Sequence, residues 1–229
     1  MKIYRHILII IILFFSPYLH SQLGTTTSTI STDNHNNGNF ANGSSGGSGL
    51  GNWTIATANG TDAGSYTGNS AIGTSFALWS NSSTIYASRL FDENLKKGDV
   101  FSIDLGHTST INSEIGIQLI NSLGNAIITL KFSGGSSEWK LNNGGSDFSS
   151  GQNYAANTSL TFTFTYDDNN SADKYSYTFG SGSGDNHTAT NDISTIRGFK
   201  IYSNYQGASQ NFGFNNVSVT SKYTIDGNQ

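Results

Sequence analysis

From residue 50 onward the chain repeats one pattern: a few residues alternating between apolar and polar, then a cluster of Gly, Asn and Ser. Segments 53–58, 76–79, 85–91, 100–105, 114–120, 126–132, 137–141, 160–166, 174–179, 199–204 and 212–219 all carry it. Alternation of this kind sends successive side chains to opposite faces of a strand. No segment keeps a 3.6-residue apolar period over a useful length. About eleven short strands without helices between them predict an all-β protein, two antiparallel sheets packed face to face as a sandwich or jelly roll.

Zero cysteines mean that the sandwich must hold itself together by an ordinary core. Fourteen Phe, 11 Tyr and 3 Trp supply the material, and 27 Gly supply the turns. Ahead of this region, residues 23–49 are nearly all Thr, Ser, Asn and Gly, with Phe40 the one large apolar residue after Ile30. Such a stretch forms no core of its own. Further upstream, Lys2 and Arg5 precede an apolar run at 7–15, then Ser16, Pro17 and Ser21. That run is too short for a membrane helix and fits a secretory signal peptide. The expected organisation is therefore a signal peptide at 1–22, a polar arm at 23–49, a sandwich at 50–221 and a tail at 222–229, with the mature protein secreted or at the outer cell surface. No later segment offers the ~18 apolar residues of a membrane helix. Without Lys2 and Arg5, nine basic residues face fifteen acidic ones, about −6 in all. Nucleic acid and anionic membranes are poor partners for such a chain.

Alternation also marks the residues that leave the core. Phe101, Ile103 and Leu105 share a face, which turns Ser102 and Asp104 outward. Ile115, Ile117 and Leu119 turn out Glu114, Gly116 and Gln118. The same rule turns out Thr129 and Lys131, and it sets Lys200, Tyr202 and Asn204 opposite Phe199 and Ile201. If those four strands are neighbours, their polar face is the largest candidate binding surface. Sugar rings stack their C–H faces on aromatic planes while amides and charges fix the hydroxyls. Trp79 ends a strand and Tyr205 lies in a loop, so both are candidate platforms beside Tyr202. Trp53 and Trp139 are read as core. The candidate ligand-binding set is thus Asp104, Glu114, Gln118, Lys131, Lys200, Tyr202, Asn204, Trp79 and Tyr205.

Catalytic motifs are weaker. Gly43-Ser44-Ser45-Gly46-Gly47 spells a nucleophile elbow but stands in a Gly/Ser run, where nothing strains the serine. Residues 167–173 alternate oxygen ligands as a calcium loop would, yet Ala172 replaces the turn glycine and Thr178 the bidentate glutamate. A solvated hairpin turn is the favoured reading, so no cofactor is assigned and calcium is the alternative. Thr161, Thr163 and Thr165 form one threonine ladder, read as an ordinary strand with Phe162 and Phe164 inside. A retaining glycosidase pair on one strand is missing, because Gly116 and Gln118 follow Glu114 where carboxylates would be. Lys200, Tyr202, Tyr205 and Gln206 match in part the Tyr-Phe-Lys to Tyr-x-Gln signature of alginate lyases. There the Gln-Ile-His motif becomes Gln118-Leu119-Ile120, with His107 the nearest histidine.

The run Gly51-Asn52-Trp53-Thr54-Ile55, with Ser88-Arg89-Leu90-Phe91 leading to Lys97-Gly98-Asp99-Val100-Phe101, then Asp192-Ile193-Ser194-Thr195-Ile196-Arg197 and Asn211-Phe212-Gly213-Phe214-Asn215, carries a resemblance. It is similar to a concanavalin A-like β-sandwich module recurrent in secreted proteins of Bacteroidetes, over about 50–220. The resemblance implies fold and location and carries no catalytic residue. The chain then reads as a secreted, non-catalytic, lectin-like protein whose partner is a polysaccharide or cell-surface glycan. The competing classes are a structural or adhesive protein, whose polar arm meets a protein partner, and a polysaccharide lyase. Oligomeric state is not encoded in any feature of the sequence.

Overall fold

The computed structural model describes residues 24–37, 39–58, 60–107, 110–167, 173–207 and 211–225. The signal-peptide segment and most of the acidic loop, 168–172, lie outside the described residues. Residues 27–222 form one compact unit; of a second, made by the two chain ends, only 24–26 and 223–225 are described.

Strands are numbered in chain order. One antiparallel sheet runs β10 (Phe148–Asn153), β9 (Glu138–Asn142), β8 (Ala126–Ser133), β7 (Glu114–Ile120), β14 (Gly198–Asn204), β5 (Thr84–Leu90), β2 (Thr54–Ala58). The other runs β13 (Gly182–Thr188), β12 (Lys174–Phe179), β11 (Ser159–Tyr166), β6 (Val100–His107), β15 (Asn211–Ile225), β4 (Gly73–Ser80), β3 (Ala63–Ser70), and β1 (Gly24–Asp33) also pairs with β15. Late strands slot between early ones, β14 between β7 and β5 and β15 between β6 and β4, as in a jelly-roll sandwich. The only helical turn among the described residues is the 3₁₀ segment Ile193–Thr195, which Asp192 caps by accepting from Ser194 N.

Alternation predicts the core well. Phe101, Ile103 and Leu105 of β6, Ile115, Ile117 and Leu119 of β7, and Phe199 and Ile201 of β14 are all buried between the sheets. Trp53 and Trp139 are buried there too, as expected. Four strands carry no clear alternation in the sequence: β1, β3, β10 and β13. Three of them, β3, β10 and β13, are sheet edges, where a short polar strand needs only one hydrogen-bonded neighbour.

The expected arm at 23–49 needs correction, because its described part is built into the sandwich. Phe40 is only 7% exposed, and its ring centroid lies 5.0 Å from Trp53, 4.9 Å from Phe76 and 5.4 Å from Phe214. Burying a phenylalanine in this way stabilises by about 1.5–3 kcal/mol. Asp33, also buried, forms an ion pair with Arg89 of β5. Arg89 is 1% exposed, and its other donors reach the carbonyls of Gly51 (2.7 Å), Gly46 (2.8 Å) and Leu50 (3.3 Å), with the guanidinium 5.1 Å from the Trp53 ring. Gly47 and Gly49 take φ of 69° and 67° where a Cβ would meet backbone oxygens at about 2 Å, so this approach is open to glycine alone. Composition hides the segment's role because the ring neighbours of Phe40 and the arginine that pairs with Asp33 lie later in the chain.

Candidate functional site

The outer face of the β10-to-β2 sheet is assembled by register. Tyr202 pairs with Gly116 on one side and Tyr86 on the other, Lys200 with Gln118 and Ser88, and Asn204 with Glu114 and Thr84. Beyond β7, Gly116 pairs with Lys131 and Gln118 with Thr129. Three rungs of outward side chains thus cross neighbouring strands about 4.8 Å apart. They enclose an open depression of about 250 Å³ lined by Thr84, Tyr86, Glu114, Gln118, Lys200, Tyr202 and Asn204.

Gly116 makes room for Tyr202. It has no side chain, and the end of the Tyr202 ring occupies the space above it. Tyr202 is consequently only 8% exposed, and its hydroxyl donates to Glu114 Oε1 at 2.8 Å. Burial, with the Glu114 carboxylate beside it, pushes the tyrosine hydroxyl far above its ordinary pKa. Glu114 Oε2 accepts from Ser133 Oγ at 3.2 Å and lies 3.8 Å from Lys131 Nζ, which pairs with Asp147 at 2.9 Å. The Asp147 contact is the main reason why the Lys131 ammonium is held above its usual range, and Lys131 in turn lowers Asp147. Glu114 is therefore fully engaged at one end of the depression.

The other end differs. Lys200 Nζ donates to the Gly124 carbonyl at 3.2 Å and stands 5.9 Å from the Tyr86 ring centroid. Burial pushes its pKa down. Opposite it in register, Gln118 Oε1 is buried without a hydrogen-bond partner, as is Asn204 Oδ1 on the Glu114 rung.

Of the nine residues expected to bind ligand, five line the depression: Glu114, Gln118, Lys200, Tyr202 and Asn204. Lys131 adjoins it through Glu114. Asp104 is on β6, in the opposite sheet, where it accepts from Thr161 at 2.6 Å and Asn216 at 2.8 Å. The four strands expected to share one face are thus three and one. Trp79 is also in that sheet, packed over Gly64. Tyr205, 45% exposed with φ 43°, follows β14 directly but does not line the depression. Tyr86 and Thr84 do, and both were missed, although Tyr86 alternates with buried Ile85 and Ala87.

The catalytic alternatives do not assemble here. His107 is buried on β6, stacked on Tyr154 with centroids 4.9 Å apart, on the core side of the opposite sheet. Gln206 is buried, its amide holding Asn112 N, the Glu114 carbonyl and the Asn204 carbonyl. Ser44 and Ser45 sit in an irregular loop between β1 and β2, and the Ser44 hydroxyl donates to nearby carbonyls. At the rim of the acidic loop, Asp167 accepts from Ser176 Oγ at 2.9 and 3.0 Å. No group of three or more His, Asp or Glu residues among those described is placed to hold a metal ion. Nor is any described helix long and apolar enough to cross a membrane.

Comparison with known proteins defines the class at the level of fold. No family model matches the chain. No curated protein matches it either. Among solved structures it is similar to a sialidase, with TM-score 0.57 and 11% identity over 74% of this chain and 17% of that one. It is also similar to the binding domain of botulinum neurotoxin serotype D, with TM-score 0.51 and 14% identity over 87% of this chain and 49% of that one. The chain thus spans less than half of either protein. The protein is an all-β, two-sheet antiparallel sandwich of the jelly-roll kind, and at these identities the likeness concerns architecture alone.

Proposed function

We propose that the protein is a non-catalytic carbohydrate-binding sandwich that takes a saccharide into the depression on β7, β14 and β5. One observation carries the reading: Gln118 Oε1 and Asn204 Oδ1 are buried without partners in the same open depression as an aromatic ring, Tyr86. A buried acceptor without a donor costs about 1–3 kcal/mol. Sugar hydroxyls are donors that satisfy both once the amides turn toward the opening, and the Tyr86 ring lines the same depression. Convergent polar groups beside an aromatic surface are the usual make-up of a small-molecule site. Secretion, expected from residues 1–22, puts the protein where polysaccharides are met.

Calorimetric titration against a panel of neutral and charged polysaccharides tests this. Wild type should bind at least one of them. Gln118→Ala and Tyr86→Ala should each weaken that binding about ten-fold or more, equivalent to about 1.4 kcal/mol, without lowering the melting temperature appreciably. Absence of binding across the panel would transfer the face to the adhesive reading, in which it is solvated.

A further inference from the structure

Resting on the carbohydrate reading, we infer that the saccharide is acidic, and that Lys200 receives its carboxylate or sulfate group. The three lysines of this sheet are used differently, and Lys140 of β9 pairs with Glu138. Lys131 is neutralised by carboxylates on both sides, Glu114 and Asp147. Lys200 has none: among the described residues no Asp or Glu lies within ion-pair distance of its ammonium. Its contacts are one backbone carbonyl, Gly124 O, and the face of Tyr86. A carbonyl satisfies one of the three ammonium donors and supplies no countercharge.

Position makes this unpaired cation informative. Lys200 lines the depression and is opposite Gln118 in register, one of the two amide acceptors that suit hydroxyl groups. Half-buried cations lose hydration, which the lowered pKa of Lys200 also reflects, and an anion delivered by a ligand restores that loss with a charge-assisted hydrogen bond. Glu114, the acidic group in the depression, is held by Tyr202, Ser133 and Lys131, which partly offset its charge at the end away from Lys200. The chain as a whole carries a net charge of −4, so a polyanion is not drawn to it by general attraction and needs a local site. A neutral glycan would satisfy the amides and leave the ammonium as it is.

The test is titration of the full chain with three probes at matched ionic strength: a neutral β-glucan, a polyuronate and a sulfated galactan. Variants Lys200→Gln and Lys200→Arg are compared with Lys96→Gln, an exposed lysine paired with Glu93 away from the depression. Wild type should prefer one of the two acidic polymers, and which one assigns the anion as carboxylate or sulfate. Lys200→Gln should lose about ten-fold or more of that affinity while unfolding at the wild-type temperature, Lys200→Arg should retain most of it, and Lys96→Gln should bind as wild type. Preference for the neutral glucan, with Lys200→Gln unaffected, would overturn the acidic ligand while leaving carbohydrate binding standing. Equal losses for Lys200→Gln and Lys96→Gln would also overturn it, since the attraction would then be diffuse. Failure of all three probes, with no other polysaccharide binding, would remove both proposals.

Discussion

Tyr202 and Gly116 face each other across the β14–β7 pair, and the ring of one fills the space that the other leaves open. A Cβ at residue 116 would lie 2.7 Å from Tyr202 Oη, 2.8 Å from its Cζ and 2.6 Å from the Leu130 carbonyl oxygen. The tyrosine could swing away, but the carbonyl belongs to the sheet. Gly116→Ala should therefore cost about 1–3 kcal/mol through overpacking and also displace the Tyr202 ring. Thermal unfolding should show a fall of several degrees, and polysaccharide titration a loss of binding in the variant while still folded.

Tyr202→Phe separates the ring from its hydroxyl. The ring stays over Gly116, but Glu114 Oε1 loses the 2.8 Å donor. Hydrogen bonds to charged groups contribute about 1.5–3 kcal/mol when shielded, so denaturant unfolding should reveal a loss within or somewhat below that range. A variant as stable as wild type would show that water replaces the hydroxyl without cost.

Asp33 and Arg89 join the 27–49 segment to β5 through a pair that is almost wholly buried. Removing only Asp33 leaves an uncompensated buried guanidinium, so Asp33→Ala should destabilise by about 3–5 kcal/mol. Adding Arg89→Met should recover part of this, because the unpaired charge goes with it. The diagnostic measurement is a double-mutant cycle in urea; additive losses would contradict the coupling.

Phe40→Ala tests the same segment through packing. Truncating an aromatic ring among Trp53, Phe76 and Phe214 should cost about 3–5 kcal/mol. Limited proteolysis of wild type should accordingly spare 27–49 as long as the sandwich is folded. Early release of this segment, with the remainder stable from Leu50 onward, would be the contrary result.

Asp147 and Lys131 give a pH dependence with a definite sign. Hydrogen bonding from Lys131 lowers the Asp147 pKa, so its contribution is present above the unfolded value, about 3.9, and is lost as pH falls through the lower folded value. Hydrogen bonding to Asp147 raises Lys131, whose contribution is complete below about 10.4 and is lost as pH rises through the folded value. Asp147→Asn should thus be less stable than wild type across the neutral range, by about 1 kcal/mol or less because the pair is partly exposed. The gap should close at both the acid and the alkaline end in unfolding measurements from pH 2 to pH 11.

Strand period alone determined a large share of this protein. Ile115, Ile117 and Leu119 could face only one way once they alternated with Glu114 and Gln118, since a one-residue slip would expose the whole apolar set. The same parity placed Lys200, Tyr202 and Asn204 outward. Parity, however, says nothing about which strands are neighbours. Pairing was decided by long-range packing, which put β14 between β7 and β5 and so brought Tyr86 and Thr84 to the depression, while β6 carried Asp104 into the other sheet. Polar strands such as β3, β10 and β13 have no apolar face to announce them and exist because an adjacent edge offers hydrogen bonds. Asp33 and Phe40 show the same limit: local composition is blind to a carboxylate whose arginine lies 56 residues away and to a ring whose neighbours extend to Phe214. Local sequence decides the face of each side chain through backbone geometry, whereas partners across strands are chosen by the free energy of the whole packed core.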